Sequence, residues 1–420
     1  MKFALRSFVL LLSLFLISCS IQPSLSLLSS QRIESSGTII YGPPSSEVKI
    51  LRKSTNEGFP LVASTIAQKL DVFFGWDSHG SLVDAVHDIR PDVICLGPYT
   101  NMRFVQKGTS DYDTCEANGW LTLDPSGNPI HSTIWTSNYL TDIGNPDYQQ
   151  WIANKVLNAG SGHSWDGKKV DDAICTKRVE YTGDCNTHDA VNPRTGKIWT
   201  DAEVVEAVAA CLKKIKQTVG SLIIHVNGIF RGDKFFADQA SYEYILAESN
   251  VNSFSSEGLF GWTSGFYSES LWKQSVDLVA WVQDNHLDNP DNLYLPTTYD
   301  KDPYIPSGIS VEDYGKYIFA SFLLGVSNPN QNGFFLSQVM NEDWAQEMYA
   351  VDYGYSLGSY YMYSGTHVYI HDFSKAKVLV NPTTTSYQVP ITGSYTYLDG
   401  TPVSSPITVG AHRGIILLNQ

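Results

Sequence analysis

Two acidic side chains that close apolar runs are the first candidates for chemistry in this sequence. Asp171 ends the run KKVD, and Glu257 ends the run FSSE. When two carboxyl groups share a pocket, an ionised one can attack the anomeric carbon of a sugar while a protonated one gives its proton to the leaving oxygen. We therefore predict a retaining glycoside hydrolase with Asp171 as nucleophile and Glu257 as general acid/base.

Lys169 supports the role of Asp171. The alternation of a strand puts Lys169 and Asp171 on one face and Val170 on the other. If the shared face is the interior of a pocket, the ammonium group holds the carboxylate ionised, as a nucleophile requires. Asp172 should then point the opposite way and cap the following helix.

Other polar and aromatic side chains near strand ends are candidates for binding a sugar. Aromatic rings stack on the C–H faces of sugars, although ordinary packing explains such rings equally well. The predicted substrate-binding residues are Trp76, Asp77, Lys169, Asp172, Asn227, Trp262 and Tyr299, with Tyr99 and Trp135 as further rings. The acids that can replace a failing member of the catalytic pair are Asp77, Asp172, Glu248 and Asp300.

The composition agrees with an uncharged, hydroxyl-rich ligand. The 420 residues carry a formal net charge of −15. This argues against nucleic acid as a partner, because a phosphate-binding protein needs a basic stripe. Hydrophobic residues make up 43% and support a large core, while aromatic residues reach 12% against only 17% charged residues. The predicted partner is an oligo- or polysaccharide.

The elements that must position these residues alternate along the chain. Predicted strands cover residues 71–77, 91–96, 119–123, 168–172, 221–227, 251–257, 292–296 and 332–336, and predicted helices cover residues 82–87, 146–157, 202–219, 271–282 and 311–324. Alternating strands and helices of this number favour an α/β fold, a (β/α)8 TIM barrel rather than an open sheet. In such barrels the loops after the strands build the active site, which is where the predicted acids lie.

A change of period marks a second domain near residue 366. From there, short runs alternate apolar and polar residues and are separated by Asn-Pro, Asp-Gly and Gly-Ser turns. We predict a barrel domain at residues 37–365, followed by a small antiparallel, β-sandwich-like domain at residues 366–420.

The N-terminus has the pattern of an export signal. Lys2 and Arg6 precede an apolar run at residues 8–17, which is too short to span a bilayer stably. The run ends in LISC, which resembles a bacterial lipobox with Cys19 as the lipidated residue; simple cleavage is the alternative. We predict a signal peptide at residues 1–19, a Ser-rich tether at residues 20–36, and an exported protein that is lipid-anchored at the cell surface or secreted.

Export permits disulfides, and lipidation of Cys19 leaves five of the six cysteines for the fold. Cys175 and Cys185 flank a polar stretch and are the predicted disulfide pair. Cys95 lies in an apolar run and is predicted to be buried. The sequence contains no C-x-x-C and no H-E-x-x-H motif, so we predict no metal and no cofactor.

Several segments together resemble a glycoside hydrolase family. Residues 142–148 (DIGNPDY), followed by Trp151, look like a D-x-G-N-P-x-Y…W segment, and residues 166–172 (DGKKVDD) look like a D-G-(three apolar)-D strand. With the closing runs VLVNP, LDGT and GIIL, the chain resembles the hypothetical glycosyl hydrolase family 15 from about residue 70 to residue 418. This resemblance implies a TIM barrel with a C-terminal β domain.

One strand also resembles a second family. KVD at residues 169–171 is similar to the Lys-x-Asp strand of family 27 α-galactosidases, in which the Asp is the nucleophile. This resemblance implies that Asp171 attacks the sugar. Lys168 and Lys169 replace apolar residues of the first family, and no family motif includes Glu257.

Two other functions remain open. A non-catalytic polysaccharide-binding surface lipoprotein is favoured if the two acids fail to converge. A polysaccharide lyase needs a Tyr or His base beside a cation, which Tyr299 or His225 with Lys169 can supply. The motif GYSLG at residues 354–358 matches the G-x-S-x-G elbow of serine hydrolases, but the residues before it read as a helix where that elbow needs a strand.

The lipid anchor can be tested on the mature chain. We expect mass analysis of the N-terminal peptide to find Cys19 as the first residue with acyl groups attached, because the basic and apolar N-terminus ends there. An intact Met1, or cleavage well beyond Cys19 without acyl mass, would contradict the anchor.

Overall fold

The barrel is formed by short parallel strands that are largely buried wherever their side chains are described. The computed structural model describes residues 49–53, 61–133, 135–173, 189–228, 235–261, 265–287, 289, 291–299, 305–326, 334–336 and 343–420. The barrel strands are β1 (Lys49–Lys53), β2 (Val72–Phe74), β3 (Ile94–Asn101), β4 (Gly167–Asp171), β5 (Ile223–Asn227), β6 (Ser253–Ser255), β7 (Leu293–Tyr294) and β8 (Phe334–Leu336). Burial of both faces is typical of a parallel sheet covered by helices.

Strands β1 to β6 each pair in parallel with the next barrel strand, and β8 pairs with β1. This order, with a helix in every crossover, is that of a (β/α)8 barrel, so the predicted fold class is confirmed. The register places Asn101 beside Asp171 and Asn227 beside Ser255. The carboxyl ends of β3 to β6 therefore meet at one rim of the barrel.

Five of the described helices begin after a residue whose side-chain oxygen caps the first turn. The helices are α1 (Ala63–Lys69), α2 (Gly80–Ile89), α3 (Ser110–Ala117), α4 (Pro146–Asn158), α5 (Asp201–Val219), α6 (Phe235–Ser249), α7 (Glu269–His286), α8 (Val311–Gly325) and α9 (Asp343–Tyr349). In α5, Thr200 and Glu203 form a reciprocal capping box at the first turn. Val208, Leu212 and Ile215 lie on its buried face, which packs on the barrel.

The predicted strand at residues 119–123 is not a barrel strand. It lies in a long excursion between β3 and β4, where Leu121 bridges Thr141 and Leu123 bridges Pro129. The first barrel strand is instead β1, which the prediction missed. Its sequence, KILRK, has three basic residues among five and therefore does not read as an apolar run.

An ion pair with a buried carboxylate joins this excursion to the segment that follows β4. Arg194 donates from both terminal nitrogens to the Asp142 carboxylate over 2.7 and 3.0 Å, and its guanidinium lies 4.9 Å from the Trp199 ring. Asp142 is 1% exposed. Gly144 packs against the pair so closely that a Cβ there would lie 2.3 Å from Arg194 Nη2. Asn145 then caps α4, so the DIGNPDY segment combines an ion pair, close packing and a helix start.

The predicted antiparallel β domain is also confirmed. Its strands are β9 (Tyr361–Met362), β10 (Tyr369–Asp372), β11 (Ala376–Asn381), β12 (Tyr387–Val389), β13 (Tyr395–Tyr397), β14 (Ile407–Val409) and β15 (Arg413–Asn419). One sheet has the order β9-β10-β11-β15-β13, and β12 pairs with β14. A second, smaller apolar core, which includes Ile370, Leu379 and Val409, lies between these two sheets.

The β domain packs on α7 and α8. The buried His371 lies with Nδ1 2.8 Å from the Leu324 carbonyl oxygen, near the end of α8. Tyr369 donates from its hydroxyl to Glu269 over 2.8 Å, and its ring lies 4.9 Å from that of Trp272. Hydrogen bonds and aromatic contacts therefore hold the sheet against the barrel helices.

Several predictions fall outside the described residues. They concern the signal peptide, Cys19, the tether, the Cys175–Cys185 disulfide, Trp262 and Asp300. Cys95 is described, and its thiol is free and buried as predicted. Within the described part of the chain, no helix has both the length and the hydropathy needed to cross a bilayer.

Removing the Asp142 carboxylate should destabilise the fold, because Arg194 and the Gly144 N–H would lose their acceptor. We expect Asp142→Ala to lower the free energy of unfolding by about 1–3 kcal/mol in chemical denaturation at pH 7. Lys213→Ala is the control, because the Lys213–Glu248 pair is half exposed on both sides and such pairs contribute only about 0–1 kcal/mol. Equal, small losses in both variants would show that the Asp142–Arg194 pair contributes no more than a surface pair.

Candidate active site

The two lysines of β4 point in opposite directions. Lys168 donates to the carbonyl oxygen of Ala159, just after α4, and so faces the helices. Lys169 is buried in the barrel, with its ammonium 5.2 Å from the Phe74 ring and 5.5 Å from the Tyr99 ring. Alternation then places Asp171, two residues later, on the interior face at the rim.

The carboxylates of Asp171 and Glu257 meet at one amide nitrogen. Asn227 Nδ2 lies 2.8 Å from Asp171 Oδ1 and 2.6 Å from Glu257 Oε2. Added together, these two lengths set an upper limit of 5.4 Å on the separation of the two oxygens. A retaining pair needs carboxyl groups about 5–5.5 Å apart, and an inverting pair about 6.5–9.5 Å. The geometry fits retention better.

The orientation of the bridging amide is fixed by its own oxygen. Asn227 Oδ1 accepts a hydrogen bond of 2.9 Å from the Ser255 hydroxyl, so Nδ2 must face the two acids. Glu257 is held from its other side by the Tyr299 hydroxyl, which donates to Oε1. A parallel bridge between Glu257 and Thr297 brings these two segments side by side. Residues that follow β4, β5, β6 and β7 thus build one hydrogen-bonded cluster.

Asp172 belongs to the same cluster, which corrects the expectation that it points away from Asp171. Its φ of 58° lies in the left-handed region, so its side chain does not follow the alternation of the strand. Asn101 Nδ2 donates to its Oδ2. Burial above all, and then the nearby charges of Asp171 and Glu257, raise the pKa of the Asp172 carboxyl to about 8, against the opposing hydrogen bond from Asn101 and the charge of Arg103.

The remaining predicted residues divide between the rim and other places. Trp76 is 41% exposed, and its ring lies 5.2 Å from that of Tyr99. Burial first, and then the charges of Asp171 and Asp172, raise the pKa of Tyr99, so its hydroxyl stays neutral beside the acids. Asp77, in contrast, accepts a hydrogen bond of 2.7 Å from the Gly160 N–H. Trp76 is therefore the exposed ring beside the cluster.

Three further candidates are not brought to the cluster. Glu248 pairs with Lys213 over 3.3 Å and lies on α6, outside the barrel. Trp135 is 52% exposed on the excursion after β3. His225, proposed as a base for a lyase, lies deeper in the barrel at 1% exposure, with Nδ1 2.9 Å from the Ser253 hydroxyl oxygen.

Asn101 and Ser255 are site residues that the sequence reasoning missed. Asn101 is the last residue of β3, just as Asn227 is the last residue of β5. A search for amides as well as acids at strand ends would have found Asn101. Ser255 gives no comparable signal, because a serine in a buried strand is common without any site.

One cluster of potential metal ligands lies near the opposite, amino-terminal ends of β3 and β4. The ligand atoms of His87, Cys95 and Asp166 lie within 4.8 Å of one another. His87 Nε2 is 3.0 Å from the Val93 carbonyl oxygen, so it carries a hydrogen and donates, which is not the state of a metal ligand. Asp166 Oδ2 accepts from the Cys95 N–H over 2.7 Å. Hydrogen bonds explain this cluster.

The G-x-S-x-G match also has a bonded partner. Ser356 Oγ lies 2.7 Å from His371 Nε2 and 2.7 Å from the Gly358 carbonyl oxygen. The segment forms a single bridge to Phe373 rather than a strand followed by a helix. The contact between Ser356 and His371 therefore stabilises a loop of the β domain. The segment does not form the strand-turn-helix elbow of a serine hydrolase.

No family model matches the sequence, and no curated protein matches it. The fold does match solved structures. A noncanonic maltogenic α-amylase from Thermotoga neapolitana aligns with a TM-score of 0.50 and 10% identity, covering 88% of this chain and 98% of that enzyme. The resemblance to the hypothetical glycosyl hydrolase family 15 therefore rests on the quoted motifs alone.

A family 36 α-galactosidase from Geobacillus stearothermophilus also matches the fold. It aligns with a TM-score of 0.51 and 10% identity over 89% of this chain. The chain spans about half the length of that enzyme, because the alignment covers 55% of it. A structure of the same enzyme in complex with raffinose aligns with a TM-score of 0.50. Identities this low carry the likeness of the fold alone. The fold is thus one that these glycoside hydrolases share.

The amide bridge can be tested by removing its donor. We expect Asn227→Leu, which keeps the volume but removes Nδ2, to lower the free energy of unfolding by about 1–3 kcal/mol, because two buried acceptors lose their shared donor. Chemical denaturation at pH 7 is the measurement.

Ser255→Ala is the matched control for this variant, because it removes only the donor to Asn227 Oδ1 and leaves Nδ2 in place. Its loss of stability should be smaller than that of Asn227→Leu. If the two variants lose equal free energy of unfolding, the contacts of Nδ2 with the two acids do not stabilise the fold.

Proposed function

We propose that this protein is a retaining glycoside hydrolase in which Asp171 is the nucleophile and Glu257 the general acid/base. The observation that carries the proposal is the single Asn227 nitrogen within hydrogen-bond distance of both carboxylates. Their oxygens come from two different barrel strands at the rim where active sites of such barrels lie. The upper limit on their separation supports double displacement rather than attack by water.

Each residue of the cluster has a part in this reaction. Asp171 attacks the anomeric carbon, and the proton of Glu257 goes to the leaving oxygen, so a covalent glycosyl–enzyme forms as the glycosidic bond breaks. Glu257 then takes a proton from a water molecule whose oxygen attacks the anomeric carbon. The bond between this carbon and Asp171 breaks, and the sugar leaves with the original configuration. The Lys169 ammonium, beneath the rim, favours the ionised nucleophile. Asn227 holds both carboxyl groups in place.

A polysaccharide or oligosaccharide is the proposed substrate. The Trp76 ring is 41% exposed beside Tyr99 and offers an apolar face on which a sugar ring can stack. The raffinose complex of the Geobacillus enzyme supports a saccharide on a shared fold. The motifs that resemble the family 15 and family 27 hydrolases support the same class. With the proposed export signal and anchor at Cys19, the reaction takes place at the cell surface.

The convergence of the acids favours a hydrolase over the two alternatives. A non-catalytic binding protein has no need for two carboxylates within 5.4 Å of each other around one amide. For a lyase, the Tyr299 hydroxyl is engaged by Glu257, and His225 is buried below the rim. Neither side chain is placed as a base beside an exposed substrate site.

Replacement of the nucleophile is the functional test. On a polysaccharide or aryl glycoside that the parent hydrolyses, we expect Asp171→Asn to lower kcat/KM by about 10³-fold or more, because the variant keeps the shape but loses covalent catalysis. Glu206→Gln, an exposed acid-to-amide change on α5, is the matched control and should leave the rate unchanged. Activity of Asp171→Asn within a few-fold of the parent would contradict the assignment.

The roles of Asp171 and Glu257 can be distinguished with substrates that differ in their leaving group. Glu257→Gln should slow the hydrolysis of natural glycosides far more than that of nitrophenyl glycosides, because a nitrophenolate leaves without a proton. Asp171→Asn should slow both equally in the first step. If Glu257→Gln slows both substrates equally, Glu257 is not the general acid.

A further inference from the structure

The rim carries a third carboxyl group that the proposed mechanism leaves without a role. Asp172 follows Asp171 directly and lies in the same cluster as Glu257. Two side-chain amides donate hydrogen bonds to the three acids. Asn227 donates to Asp171 and Glu257, and Asn101 donates to Asp172. The question is what the third acid does.

Asn101 is oriented so that its Nδ2 donates to Asp172 and, over 3.3 Å, to the Tyr99 hydroxyl. Its Oδ1 accepts from the N–H groups of Arg103 and Phe104 over 2.9 and 2.8 Å, which turns Nδ2 towards the Asp172 carboxyl. Asn101 therefore donates a hydrogen bond to the side chain of Asp172, the residue that follows the proposed nucleophile.

This hydrogen bond stabilises the backbone conformation next to Asp171. Asp172 has a φ of 58°, a conformation that costs free energy for any residue except glycine and is least costly for Asn and Asp. In this conformation the Asp172 N–H donates to Asp171 Oδ1 over 2.8 Å. The contact between Asn101 and Asp172 thus holds a turn whose N–H group orients the nucleophile.

The negative charges around Asp172 oppose its ionisation. Asp171 faces it from its own strand, Tyr99 and Arg103 from β3 and the residues after it, and Glu257 from beyond β6. The Arg103 charge acts in the opposite direction. Lys169 is also buried, with its ammonium 5.5 Å from the Tyr99 ring. Asp171 and Glu257 each accept hydrogen bonds from Asn227 and from a further donor, whereas, among the residues that the structure describes, Asn101 is the side chain that donates to Asp172.

We propose that Asp172 is a positioning residue for Asp171 and that it fulfils this role in its protonated form. The inference rests on the proposed function for its effect on catalysis, but not for the protonation itself. While Asp172 is neutral, its turn holds the N–H on Asp171 without adding a second negative charge beside the nucleophile. When Asp172 ionises, repulsion from Asp171 and Glu257 opposes that turn, and activity falls on the alkaline side.

The kinetic test compares two replacements of Asp172. Asp172→Asn cannot ionise, tolerates a positive φ and still accepts from Asn101, so we expect kcat to fall only about three- to tenfold at pH 6. Asp172→Gly adopts the turn without strain but lacks the carboxyl group to which Asn101 donates. For this variant we expect kcat to fall about 100-fold with a smaller change in KM. Loss of the Glu257 proton lowers kcat/KM at alkaline pH, and this fall should remain in both enzymes. The parent should show a further fall near pH 8, which Asp172→Asn should lack. An unchanged pH profile in Asp172→Asn would overturn the proposal.

A second measurement does not depend on activity. In protein labelled with ¹³C at the Asp side chains, the resonance that Asp172→Asn removes should titrate with a midpoint near pH 8. A midpoint near pH 4, the ordinary range of an Asp carboxyl, would overturn the proposal. If no glycoside is cleaved but the midpoint lies near pH 8, the proposed function fails and the protonation of Asp172 stands.

The same titration predicts a signed effect on stability. The unfolded chain loses this proton near pH 4 and the folded chain near pH 8, so between these values the folded state binds the extra proton and its stability falls as pH rises. The Tm of Asp172→Asn minus that of the parent should therefore grow from pH 4 to pH 8 and then level off. Glu206→Gln is the control, and its Tm difference from the parent should stay constant. A constant difference for Asp172→Asn as well would contradict protonated Asp172.

Discussion

The Asn227 amide decides the geometry on which the rest of the site depends. Its oxygen is held by Ser255, and its nitrogen therefore has to lie between the carboxylates of Asp171 and Glu257. Two carboxylates this close repel each other unless a donor lies between them. With the donor in place, both can remain in one pocket at the short separation that a covalent mechanism needs.

The barrel makes this arrangement possible because it aligns the ends of neighbouring strands. β4, β5 and β6 pair in parallel, so residues that follow them reach the same rim without long loops. The interior below the rim is filled by Lys169 between aromatic rings. Outside the barrel, the Asp142–Arg194 pair ties the excursion after β3 to the segment after β4. The acids are thus supported both from below and from the side.

The fold and the two catalytic candidates could be predicted from the sequence, because alternating apolar runs and their closing acids are local patterns. α4 and α5 followed from the helical spacing of their apolar residues, and Asp171 followed from strand alternation with Lys169. β1 could not be found in this way, because its basic residues obscure the apolar pattern that a buried strand normally shows. Residues 119–123 were placed in the barrel wrongly, because an apolar run in a surface excursion looks the same as one in a barrel strand.

The direction of Asp172 was also beyond a sequence argument. Alternation holds only while the backbone stays extended, and a φ of 58° ends it at this residue. Asn101 likewise becomes a site residue only through the register of β3 with β4, which places it beside Asp171. Contacts between strand ends depend on pairing across the sheet, and no local pattern records them.

The central claim is that Asp171, held beside Glu257, attacks the sugar directly. A panel of 2-deoxy-2-fluoro glycosyl fluorides tests it, because the ring fluorine destabilises the oxocarbenium-like transition states while the fluoride leaves readily, so a covalent intermediate accumulates. We predict that one glycosyl unit is added to the chain and that peptide mapping locates it on Asp171. A label on another carboxylate, or turnover of the reagent to a product of inverted configuration without any label, would contradict the claim.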